Sequence, residues 1–183
     1  MKGHPEHIRL LKEQMCAISQ NYSYDTNSTE DPLSVEDRSY ELPGGQIIQV
    51  DHRKRFSASE IIFSPEIINS SAKGIVEMAY DSIEKCDSDL KINLYNNIVL
   101  AGGSTLMPGF KERFEDEIIR LAEHNAKTDI NITADLHRKN AAWIGGSMLA
   151  SFSTFKDMCI SKDDYDQTAD VEKSHIILKK TIN

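Results

Sequence analysis

The residues best placed to do chemistry lie mid-chain, in the stretch NNIVLAGGSTLMPGF (Asn96 to Phe110). Ile98 to Gly102 read as a buried strand running into a pair of glycines, Gly102 and Gly103. Without Cβ atoms they admit a flat ring or a phosphate to van der Waals contact with the backbone. Ser104 and Thr105 add hydroxyls and amides, and the helix that follows presents the positive end of its dipole. The carboxyl end of a strand in an open α/β sheet is where ligands bind. Gly-Gly-Ser-Thr is also a common tight turn, and it is neither a Walker loop nor the dinucleotide fingerprint. Spacing leaves both readings open.

No catalytic constellation can be assembled from the remaining residues. Asp87 and Asp89, or Asp163, Asp164 and Asp166, have the oxygen chemistry for Mg²⁺, but they read as solvated acidic faces. His4 and His7 have no third ligand close in sequence and read as solvated side chains. Cys16, Cys86 and Cys159 are odd in number and lack CxxC pairing, which predicts reduced thiols in an intracellular protein. The basic run in DHRKRFSASEIIF reads as a solvated turn rather than an anion site. Twenty-one Lys and Arg against 29 Asp and Glu give a net charge of −8, which argues against nucleic-acid binding through phosphate neutralisation. MKGHPEHIRL has no apolar core and is not a signal peptide. No run approaches the roughly 18 apolar residues of a membrane span.

These residues need elements to position them. At 183 residues the chain can bury a core, as one domain or as two lobes. Ile8, Leu11, Met15 and Ile18 fall on one helical stripe, with Pro5 suited to its first turn. A polar stretch follows (QNYSYDTNSTEDPLSVEDRS), read as an exposed connector, and then YELPGGQIIQV, read as a hairpin about Pro43-Gly44-Gly45. Ile75, Met78, Ala79, Ser82 and Ile83 predict the buried stripe of a second helix, and SDLKINLYNN a short third one. Phe110, Phe114, Ile118 and Leu121 line one face of the clearest helix, with Pro108 at its start. Ile130, Ile132 and Ala134 alternate as a half-buried strand. Around Trp143, the small residues Gly145, Gly146, Ser147 and Ala150 suggest close helix packing. Helices mixed with strands predict an α/β or α+β fold.

Several stretches in fixed order resemble the carboxyl-terminal half of actin and close actin-like proteins. They are SYELPGGQII, DSIEKCDSDLKINLYNNIVLAGGSTLMPGF, LHRKNAAW and AAWIGGSMLASFSTFKDMCISKDDYDQ, the last nearly residue for residue. The resemblance covers most of Glu6 to Gln167, interrupted by the polar loop. It implies an α/β chain with a partial actin-like (ribonuclease H-like, actin ATPase) fold, second half only. Residues 1–69 would resemble a remnant of subdomain 4 with the polar loop 21–38, 70–139 a remnant of subdomain 3, and 140–183 a carboxyl-terminal segment of subdomain 1.

The resemblance also implies a function. In actin the Gly-Gly turn is where adenosine packs. Carried over by position, Gly102, Gly103, Ser104, Leu106 and Met107 would line the base and ribose. Lys139 would lie along the purine, while Lys12 and Glu13 would reach base and ribose from the first helix. Actin usually has Thr, Met and Tyr where Ser104, Leu106 and Met107 stand, so Met107 loses a rigid aromatic wall. The segments with which actin holds ATP phosphates and Mg²⁺ belong to its amino-terminal half, so this chain would supply only the adenosine side of an ATP or ADP site. Mg²⁺ is expected only in an intact member, and no hydrolysis by this chain alone. Actin or actin-like subunits and actin-binding proteins are the implied partners, with neither nucleic acid nor membrane, and the implied location is the cytoplasmic cytoskeleton. FSPEIIN (Phe63 to Asn69) takes the place of actin's apolar plug, with Glu66 placing a charge in it. The tail SHIILKKTIN replaces actin's usual ending. The alternative is a divergent actin-related adaptor subunit without ATPase activity.

Overall fold

The computed structural model describes residues 5–22, 38–42, 44–122 and 129–167, apart from the side chain of His52. His4, Pro43, residues 23–37 of the polar loop and the tail SHIILKKTIN lie outside the described residues. The chain divides into two compact units, Met1–Lys139 and Asn140–Asn183.

In the first unit, α1 (Pro5–Met15) begins on Pro5, whose missing N–H costs nothing there. The hairpin forms as read, with β1 (Arg38–Glu41) antiparallel to β2 (Ile47–Val50) and Tyr40 opposite Ile48. Gly45 takes φ +77° in its turn. DHRKRFSASE is not a solvated turn. It is α2 (His52–Glu60), started by Asp51, whose carboxylate accepts the Arg53 N–H at 2.7 Å. A short 3₁₀ turn (Pro65–Ile68) follows, with Phe63 and Pro65 buried and Glu66, Ile67 and Ile68 exposed.

Next come α3 (Ile75–Glu84), α4 (Ser88–Tyr95), β3 (Ile98–Val99), α5 (Phe110–Ala122) and β4 (Ile132–Thr133). On α3 the buried residues are Val76 and Ile83, one heptad apart, while Met78 and Ser82 face solvent, so the buried stripe is rotated from the expected one. β3 and β4 pair in parallel, Ile98 against Ile132 and Val99 against Thr133, and both are shorter than their apolar runs suggest. The core gathers Ile18, Phe63, Val76, Tyr95, Leu100, Phe110, Phe114, Ile118 and Ile132, drawn from nearly the whole unit. Gly74 is buried because the chain passes Phe63 there: a Cβ would sit 1.9 Å from the Phe63 carbonyl oxygen.

The described part of the second unit is helical: α6 (Ala141–Ala150), α7 (Phe155–Met158) and α8 (Lys162–Gln167). None of its described residues is buried. Gly145 and Gly146, expected to admit a close neighbour, have nothing within 4 Å of where a Cβ would stand.

Candidate functional site

The glycine turn is held from three directions. From β3, the Leu100 N–H donates to the Thr133 carbonyl at 2.9 Å, which fixes the end of the strand. Gly102 then takes φ +93° and ψ 157°, a region essentially reserved for glycine, and the chain enters a 3₁₀ turn (Gly103–Leu106). From the chain after β4, Arg138 clamps this turn. Its Nε donates to Thr105 Oγ1 (3.0 Å), its Nη2 to the Thr105 carbonyl (2.9 Å), and its own carbonyl accepts the Gly102 N–H (2.8 Å). The clamp delivers the next residue, Lys139, to the turn. A Cβ on Gly103 would lie 3.8 Å from Lys139 Cγ and 3.9 Å from Cε, so the lysine stem runs beside the bare glycine.

From the amino-terminal side comes α1. The end of α1 and the segment after it are sewn down by Arg55 Nε to the Met15 carbonyl (2.6 Å), the Ile18 N–H to the Pro108 carbonyl (2.8 Å) and Gln20 Nε2 to the Gly109 carbonyl (2.9 Å). These bonds set Lys12 and Glu13 across from the turn, and Glu13 Oε2 stands 3.6 Å from Lys139 Nζ. The result is a cleft of about 280 Å³ lined by Lys12, Glu13, Gly103, Ser104, Leu106, Met107 and Lys139.

Seven of the eight residues expected to contact a ligand therefore meet at one cleft. Gly102 does not line it; it is the bend that aims the turn. Met107 also belongs to the core beside Phe110, and is only 9% exposed, so most of its side chain faces inward. Leu106 is the more open apolar surface. A half-open cleft with an apolar patch, one bare glycine and a Lys–Glu pair across it suits a flat, hydrogen-bonding ring better than a compact anion.

A family model described as Actin matches residues 2–179. The chain belongs to the actin family. It is 38% identical over 162 residues to the Dictyostelium discoideum protein named actin-29, an alignment covering 87% of this chain and 41% of that relative. The chain thus spans about two-fifths of the length of this curated relative. Its fold is that of the actin-like ATPases, and the mixture of helices and short strands described above agrees with it.

Spacing missed several residues that hold this cleft together. Thr105 was read only as a hydroxyl facing a ligand and Arg138 is the neighbour of Lys139; nothing local signals that one clamps the other across 33 positions. The buried charges Arg55, Glu60 and Arg113 were also missed. Arg113 reaches Glu60 at 3.0 Å, the Ser19 carbonyl, and Glu117 one turn along α5. Burial pushes the Glu60 carboxyl above its usual range, and Arg113 and Ser64 offset this only in part. Burial opposes the charge of Arg113, but Glu117 and Glu60 more than compensate and hold it ionised. Among the described residues no helix is long and apolar enough to cross a membrane.

Proposed function

We propose that this chain is the second-half polypeptide of an actin-like cytoskeletal protein, and that its cleft takes the adenosine part of ATP or ADP. The observation that carries the reading is the side of the cleft where the Lys139 stem runs along the Cβ-free Gly103, with Glu13 facing Lys139 Nζ at 3.6 Å. A purine would stack against that backbone and stem, and a ribose hydroxyl would donate to the Glu13 carboxylate. Ser104 would supply a further hydroxyl at the rim. Among the described residues no group of three His, Cys, Asp or Glu side chains forms a metal site. Phosphoryl transfer rests on positioning and charge around the γ-phosphate, so hydrolysis is not assigned to this chain.

The second-half reading carries a three-part division at 69/70 and 139/140; the unit boundary after Lys139 agrees with the second of these, while residues either side of 69/70 share one core. Helix α6 (AAWIGGSMLA) is apolar on nearly every side, yet all of it is exposed or half-exposed. A helix apolar all round is stable when covered. The cover would be the remainder of an actin-like polypeptide, neighbouring subunits or actin-binding proteins, in the cytoskeleton. The same surface favours the second reading, an actin-related adaptor without ATPase activity, because an adaptor also needs a face for its partner.

Titration of the 183-residue chain with adenosine and with ADP separates the two readings. The adenosine-site reading expects weak binding of equal strength for both ligands, lost in Lys139→Ala. Submicromolar affinity for ADP, or no adenosine binding at millimolar concentration, would refute it; the latter outcome would leave the adaptor.

A further inference from the structure

A second cleft in the first unit, of about 370 Å³, opens between the chain at Gln20 to Tyr22, the end of α2, the Pro65–Ile68 turn and α5. Its most buried lining residue is Glu60, only 1% exposed. Glu60 Oε1 accepts from Arg113 Nη2 at 3.0 Å and Ser64 Oγ at 3.3 Å. Glu60 Oε2 is equally buried and has no hydrogen-bond partner among the described residues. Buried polar atoms are almost always paired, because an unpaired one bears the full cost of losing water.

The neighbouring charges show which partner is missing. Arg113 has already engaged all three of its nitrogens, with Nε to Glu117, Nη1 to the Ser19 carbonyl and Nη2 to Glu60. Arg120 donates its Nε back to the Asp116 carbonyl of its own helix. Around the cleft stand the carboxylates Glu60, Glu66 and Glu117 against the guanidiniums Arg113 and Arg120. Among the described lining residues the balance is one negative charge, and the unpaired atom is an acceptor. An anion would meet carboxylates, and an apolar guest would leave Oε2 unpaired.

We infer that this cleft binds a compact organic cation carrying N–H donors, a primary ammonium or a guanidinium, with Glu60 as its acceptor and Glu66 and Glu117 beside it. Such a cation adds the charge the cleft lacks and supplies a charge-assisted hydrogen bond to a desolvated oxygen. Its source is either a free polyamine or a Lys or Arg side chain of a partner protein. Oε2 is buried, so binding requires a local rearrangement of the side chains around it.

The test titrates the 183-residue chain with 1,4-diaminobutane, Nα-acetyl-lysine amide and tetramethylammonium at constant ionic strength, following backbone amides by NMR. The two N–H cations are expected to shift Glu60, Ser64 and Arg113, and tetramethylammonium, with equal charge and no donor, to leave them unmoved. The tighter of the two ligands identifies the source. Glu60→Gln should weaken binding about tenfold or more, whereas Glu112→Gln, on an exposed position of α5, should not. Should Glu60→Gln fail to fold, the comparison of diamine with tetramethylammonium decides alone. Equal response to the quaternary ion, no shift at about 10 mM diamine, unchanged binding by Glu60→Gln, or an experimental structure with diamine showing only water on Oε2 would each overturn the inference.

Discussion

Replacing Gly109 by Ala tests whether the seam behind the candidate adenosine cleft is as tight as its geometry requires. Gly109 has φ +83°, and a Cβ there would stand 2.5 Å from the Ile18 carbonyl oxygen and 2.9 Å from Gln20 Nε2. The left-handed backbone alone costs an alanine about 1–2 kcal/mol. Ordinary contact begins at 3.4 Å, so the Ile18 segment must also retreat by about 0.9 Å, the difference between 3.4 and 2.5 Å. That movement strains two hydrogen bonds, Ile18 N–H to Pro108 and Gln20 Nε2 to Gly109, worth about 0.5–1.5 kcal/mol each. The sum is about 2–5 kcal/mol, a large share of a domain's stability. Gly45→Ala is the matched control, since φ is +77° there and nothing lies within 4 Å of the added Cβ. It should cost the backbone strain alone, about 1–2 kcal/mol. Urea denaturation of both variants, read as midpoints at unchanged slope, gives the comparison. The reasoning fails if the two differ by less than about 0.5 kcal/mol.

Glu60 supplies a pH test with a definite sign. Its folded carboxyl holds a proton more tightly than the unfolded one, whose ordinary value is 4.5. The stability it contributes is therefore fully present below that value and is lost as pH rises through the raised folded pKa. Denaturation midpoints above pH 4.5 should fall in the wild type relative to Glu60→Gln, and parallel curves would show that burial does not perturb this carboxyl. Trp143, on α6, is 75% exposed, so Trp143→Ser should change unfolding free energy by less than about 0.5 kcal/mol while reducing self-association in sedimentation. A large stability loss with unchanged association would mean that the chain itself covers this side chain.

Much of the fold could be read from periodicity where partners are local. The hairpin about Gly44 and Gly45 and the buried face of α5 carry their own signals. Failures cluster where the partner is distant. HRKRFSASE has one large apolar residue, Phe56, and its buried Arg55 and Glu60 are stabilised by the Met15 carbonyl and by Arg113, some forty and fifty positions away. A local reading sees only charge and assigns solvent. The α3 stripe is misplaced because Ile75, Val76, Met78 and Ile83 are all apolar, and only the position of α5 decides which of them turn inward. β3 and β4 end early because each has only the other to pair with among the described strands. The cleft itself was legible only through the family resemblance. Lys12, the glycine turn and Lys139 are too far apart in sequence for spacing to join them.

What the first unit provides is a preorganised wall. Each bond that shapes it, Arg138 to Thr105, Ile18 to Pro108, Gln20 to Gly109 and Gly102 to Arg138, has both ends within residues 1–139. Thr105 and Met107 are anchored in the core, whereas Leu106 and Lys139 remain open, so the turn alternates between holding the fold and facing the cleft. Under the proposed function this alternation separates two energies. Contacts to a base and ribose are prepaid by the folding of the first unit, while contacts to phosphates depend on parts of an actin-like molecule outside these residues. Adenosine and ADP should then bind alike, because Lys139 already faces Glu13 and the wall holds the base rather than the phosphates that distinguish them.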